Sequence, residues 1–98
     1  MFNRHFFERD FAHLVSEYVD DRATEAPVVE FHLRDGSRYR IERIVLIGES
    51  WISFRAEALG GGEQGKVPAQ VTCPYAMLSR VDFFPRVEEN LVGFRSRR

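Results

Sequence analysis

The strongest constraint on this chain is an ordered pair of phrases in which apolar residues alternate and each run closes on a turn. The first is Val28-Val29-Glu30-Phe31-His32-Leu33-Arg34 followed by Asp35-Gly36. Val29, Phe31 and Leu33 share one face, and Glu30, His32 and Arg34 share the other. That period of two is the mark of a half-buried strand. Asp-Gly is a strong short-range hairpin signal, so a second strand begins near Ser37. Its apolar residues Tyr39 and Ile41 fall on one face, and then Ile44 and Leu46 do. The step of three between Ile41 and Ile44 breaks the period and predicts a bulge or a strong bend. The second phrase runs from Val71 through Pro74-Tyr75 to Val81-Asp82-Phe83. Pro74 cannot donate to a strand ladder and marks the end of a fourth strand, Val67 to Cys73. Tyr75 to Ser79 suits one tight helical turn on the surface, and Arg80 to Phe84 is a fifth strand ended by Pro85. Between the phrases, Gly48-Glu49-Ser50 is a turn and Trp51 to Ala56 a third strand, with Ile52, Phe54 and Ala56 inward.

An amphipathic helix precedes the strands, over about residues 3–21. Phe2, Phe6, Phe7, Phe11, Leu14, Val15, Tyr18 and Val19 recur at steps of three, four and five, which makes one broad apolar stripe. Asn3 is placed to cap it. The acidic end Asp20-Asp21 opposes the helix dipole and predicts a frayed last turn. Residues 86–98 form a tail with Leu91, Val92 and Phe94, ending in basic Arg95, Arg97 and Arg98. The whole reads as a single domain, 1–98, with strands over about 28–85.

Composition narrows the function classes. Ninety-eight residues with nine Phe and 44% apolar content fit a small globular domain. A chain this short buries only about 60–68% of its unfolded surface, so part of its aromatic stripe suits a subunit contact. A net charge of −1 excludes a strongly basic nucleic-acid module on bulk charge, though not a local basic patch. One cysteine, Cys73, permits no disulfide framework and no thiolate metal cluster within the chain. A reducing, cytoplasmic setting is the expectation. No apolar run has the length of a membrane span, and Glu8, Arg9 and Asp10 interrupt any secretory leader.

Sites of chemistry are sparse. The loop Gly60-Gly61-Gly62 lacks the Gly-Lys-Ser/Thr ending and the helix of a phosphate cradle. His5 and His13 stand eight apart, whereas paired ligands on a helix want a spacing of four; His13 and Glu17 have that spacing but lack a third ligand. Cys73 would need a base within reach to act as a nucleophile. Arg34, Arg38 and Arg40 flank the first hairpin beside Glu30, Asp35 and Glu42, which reads as a solvated face of mixed charge. The expectation is a protein that is not an enzyme and carries neither metal nor cofactor.

Helix, bent meander, tight turn and short last strand resemble the layout of the Sm-like superfamily, which includes the bacterial RNA chaperone Hfq. Phe31-His32-Leu33-Arg34-Asp35-Gly36 matches its apolar-x-Leu-x-Asp/Asn-Gly motif, Trp51-Ile52-Ser53-Phe54 its third strand, and Val71 to Phe83 its final strand pair. The resemblance implies a mainly β fold, an N-terminal α-helix followed by a strongly bent five-stranded SH3-type barrel, and a homo-oligomeric ring of five to seven subunits. Val71 and Cys73 on one edge would meet Val81 and Phe83 on the next subunit. It implies RNA binding at the second-to-third strand loop and the last turn, which here carry Glu49, Ser50, Trp51 and Tyr75, aided by Arg95, Arg97 and Arg98. The Lys and His of the Hfq last turn have no counterpart in Cys73-Pro74-Tyr75. A barrel of the same kind that holds a protein partner without RNA is the alternative. A third reading is a bacterial pleckstrin-like module, where the Pro74-Tyr75, Leu78, Val81 phrase also occurs.

Overall fold

The computed structural model describes residues 1–22, 26–60 and 66–86. Asn3 starts the helix as its sequence predicts: its side-chain oxygen accepts the Phe6 N–H at 2.9 Å, which satisfies a donor the helix itself cannot. A π-helical turn over Phe6–Asp10 then leads into α1, Phe11–Arg22. The extra residue has a reason in the spacing. Phe6 and Phe11 are five apart, and the N–H of Phe11 donates to the carbonyl of Phe6. Wider winding therefore puts both rings on one face, where they contact each other and Phe7. The stripe is narrower than its sequence suggests, since Leu14 is 40% exposed.

Five antiparallel strands follow: β1 Val28–Leu33, β2 Arg38–Ile47, β3 Trp51–Leu59, β4 Lys66–Pro74 and β5 Leu78–Phe84. They are ordered β4-β3-β2-β1-β5 in one sheet. The hairpin at Asp35-Gly36 is as expected, with Gly36 at φ +94°, a conformation that favours glycine. The predicted irregularity lies between Ile41 and Arg43, and a second lies between Ile44 and Leu46. Two bulges in one ten-residue strand let it bend sharply.

The need for that bend follows from the connections. A straight β2 would hold its ends about 30 Å apart, at roughly 3.3 Å per residue. Yet one 3₁₀ turn, Tyr75–Met77, reaches both ends. The Arg34 N–H donates to the carbonyl of Met77 at 2.8 Å, beside the start of β2, and the Tyr75 N–H donates to that of Ser50 at 3.2 Å, just past its end. Three residues span such a gap only if the sheet is folded over.

The sheet is bent but not closed. Strand β4 pairs with β3 and β5 with β1, and among the described residues β4 and β5 do not pair with each other. Of the expected strongly bent SH3-type barrel, what the structure has is a curled five-stranded antiparallel sheet with an N-terminal helix. Its core lies on the inner face, where Phe31, Ile52, Phe54, Ala56 and Leu78 are buried with Phe7 from the π turn. Phe7 packs between Phe31 and Tyr75, with ring centroids 5.6 and 5.8 Å away.

Candidate functional site

The bend gathers the β2–β3 turn and the β4–β5 turn, and with them four residues singled out from sequence: Glu49, Ser50, Trp51 and Tyr75. They do not share one environment. Tyr75 is not a surface turn residue. It is 5% exposed, its ring lies nearly parallel to that of Phe7, and its hydroxyl donates to the Gly48 carbonyl at 2.7 Å. Burial pushes its phenol pKa up. With its ring held in the core, Tyr75 supports the turn and presents no open face. The signal that could have found this was the stripe itself, since Phe7 needs an apolar partner across the sheet.

Trp51 stays 39% exposed at the start of β3. Its indole packs against Gly48, whose N–H donates to the Trp51 carbonyl at 2.8 Å. Ser50 is exposed, and its carbonyl is taken by the Tyr75 N–H. Glu49 is exposed and forms an ion pair with Arg4 at 3.1 Å, while Arg4 also holds Glu8 at 2.9 Å. A latch of charge thereby ties the start of the helix to the turn. Arg34 is occupied as well, its Nε donating to the Ala76 carbonyl at 2.6 Å.

The residues singled out for a subunit contact lie on the two edge strands, but their side chains turn inward. Cys73 is buried beside Ile52 in the register, Val71 and Val81 pack on the core, and Phe83 contacts Phe11 and Tyr18. Burial raises the Cys73 thiol pKa, the opposite of what a thiolate nucleophile requires. Among the described residues, what the edges offer outward is backbone on the unpaired sides of β4 and β5. Arg95, Arg97 and Arg98 lie outside the described residues, as does the loop 61–65.

On the outer face, β5, β1 and β2 carry a ladder of charge. Glu30 sits across from Asp82 on one side and Arg40 on the other, and His32 sits across from Arg80 and Arg38. Two carboxylates directly opposite each other repel, and the neighbours offset this. Arg80 donates from Nε to both oxygens of Asp82 at 3.0 Å, and His32 Nε2 stands 3.2 Å from Asp82 Oδ2 and 3.6 Å from Glu30 Oε1. Arg38 and Arg40 approach Glu30 at 3.9 and 3.8 Å. The Arg80 hydrogen bonds hold the Asp82 carboxyl below its usual range, against a smaller opposing effect of burial. Glu30, expected on a solvated face, is only 8% exposed. Long arginine side chains shield it. The face is charged: Arg80 is held by Asp82, whereas His32 Nε2 and Arg40 Nε are buried beside the carboxylates without a hydrogen-bond partner of their own among the described residues.

Among the described residues no group of three His, Cys, Asp or Glu side chains is arranged to hold a metal ion, and no helix is long and apolar enough to cross a membrane. Comparison with protein-family models, with curated proteins and with solved structures gave no match to this chain.

Proposed function

We propose that this chain is a non-enzymatic module of the Sm-like kind that assembles into a homo-oligomeric ring and binds single-stranded RNA. The observation that carries the reading is the pair of open edges. Among the described residues, each copy has one unpaired side on β4 and one on β5, at opposite ends of a bent sheet. An edge left open invites pairing, and a head-to-tail contact between unlike edges closes into a ring when its rotation permits. Pairing would run through backbone, which agrees with the inward turn of Val71, Cys73, Val81 and Phe83.

The RNA surface would be the β2–β3 turn, with Trp51 as the stacking platform beside Glu49 and Ser50. Base stacking on an aromatic ring contributes about 1–3 kcal/mol per base and tolerates any sequence. Tyr75 would act from beneath, by fixing Gly48. The basic residues Arg95, Arg97 and Arg98 would add a salt-sensitive attraction to phosphate. A second reading is a scaffold of the same assembly that holds a protein partner without RNA. It is favoured by the outer face, where Arg38 and Arg40 lie by Glu30 and Arg80 holds Asp82.

Light scattering at two protein concentrations tests the assembly. A concentration-independent pentamer, hexamer or heptamer supports the ring; a monomer overturns it. Titration of Trp51 fluorescence with homopolymeric RNA then separates the two readings. Binding that weakens with salt and with Trp51→Ala supports the RNA surface. A ring without such binding leaves the scaffold.

A further inference from the structure

Helix α1 meets the sheet unevenly. Its aromatic anchors lie along one flank, where Phe11 packs on Phe31 and Phe83, and Tyr18 packs on Phe83. On the other flank a groove opens. Val29 of β1 and Ile41 and Ile44 of β2 line it with Phe11 and Val15 of the helix, around about 360 Å³ of open, mainly apolar space. Exposed apolar surface of this kind on the inner side of a sheet calls for a cover.

The chain itself arrives at this place. Arg86, the last residue described after β5, lines the same groove, and its Nε donates to the Ala26 carbonyl at 3.4 Å. The next residues read Val87-Glu88-Glu89-Asn90-Leu91-Val92-Gly93-Phe94. They bring four large apolar side chains within eight residues of the groove's edge. Leu91 is five residues beyond Arg86, so it reaches up to about 17 Å from it. The charged groups at the groove are Arg43, Arg86 and Glu42, so the acidic pair Glu88-Glu89 follows where two cations stand against one carboxylate.

We propose that residues 87–94 of the same chain seat in this groove, with Leu91, Val92 and Phe94 covering Val29, Ile41 and Ile44. A tether of so few residues gives the segment an effective concentration of about millimolar. Its own groove is therefore filled before that of a second copy in dilute solution. The segment then joins helix to sheet along the flank that the aromatic anchors leave open. This inference is independent of the ring and of RNA.

The test is methyl nuclear magnetic resonance on the full chain. Through-space contacts are expected between the Phe94 ring or the Leu91 and Val92 methyls and the methyls of Ile41, Ile44 and Val29. A mixture of isotopically labelled and unlabelled copies shows whether they arise within one molecule. Phe94→Ser should abolish them and shift the Ile41 and Ile44 methyl signals, and Phe94→Leu should restore them in part. Contacts only between different copies would overturn the proposal. So would Leu91, Val92 and Phe94 signals that show no contact beyond their sequence neighbours. The assembly mass does not enter, so failure of the ring leaves this result readable.

Discussion

Trp51 lies so close to Gly48 that a Cβ at position 48 would stand 2.7 Å from Cε2 of the indole, inside any tolerable contact. The glycine is needed for space: it lets the ring fold back over the turn while its own carbonyl accepts the Tyr75 hydroxyl. One residue without a side chain thus sets the position of the exposed aromatic and of its buried support.

Gly48→Ala should drive the indole away from the turn. Overpacking of this sort costs about 1–3 kcal/mol. Trp51 is the single tryptophan, so the displacement is read directly as a change in emission wavelength and quenching by iodide. Urea unfolding gives the loss of stability. An unchanged spectrum with unchanged stability would contradict the contact.

Tyr75→Phe keeps the ring on Phe7 and deletes only the hydroxyl. The expected loss is about 0.5–1.5 kcal/mol, the net worth of one hydrogen bond. The pH dependence has a definite sign. Burial raises the Tyr75 pKa, so the unfolded chain loses the phenolic proton first. The contribution is fully present below the unfolded value of about 10 and is lost as pH rises through the folded value. Alkaline unfolding monitored by circular dichroism should therefore show a flatter decline for Tyr75→Phe than for the wild type.

Asp82 gives the opposite limb. Arg80 lowers its pKa, so its contribution is present above the unfolded value of about 3.9 and is lost as pH falls through the folded value. Asp82→Asn should destabilise the protein at neutral pH. The gap from wild type should close as the solution is acidified, and denaturant midpoints across that range supply the measurement. A gap independent of pH would remove the carboxylate from the account.

Phe7 is the ring that holds helix and turn together, buried against Phe31 and Tyr75. Phe7→Ala should cost about 3–5 kcal/mol through lost burial and the cavity left behind. Phe7→Leu should cost less, since it keeps part of the apolar volume. Thermal melts of the two variants rank them.

Much of this arrangement is legible along the chain because it is local. The alternation from Val29 to Leu33, the Asp35-Gly36 turn and the step of three from Ile41 to Ile44 each report their own geometry. The five-residue step from Phe6 to Phe11 stands in the sequence too, but a stripe read at the ordinary helical period does not report the π turn that places both rings on one face. The buried state of Glu30 is not local. It depends on Arg40 and Asp82, which come from the neighbouring strands, and alternation says only that Glu30 points away from the core. Tyr75 is hidden for the same reason: a Pro-Tyr pair marks a turn, while its burial comes from Phe7 and Gly48 far along the chain. Of the candidate site, sequence names the members of the turn cluster but not which of them stays exposed.

The place of β5 beside β1 has a consequence for synthesis. Strand β1 gains one neighbour as soon as β2 emerges, but its other neighbour is β5, the last of the strands among the described residues. Until Phe84 has left the ribosome, one side of β1 remains an open template carrying Val29, Phe31 and Leu33. A nascent chain of this design is therefore open to wrong pairing for the whole interval between β2 and β5, and completion of β5 is the event that ends the exposure.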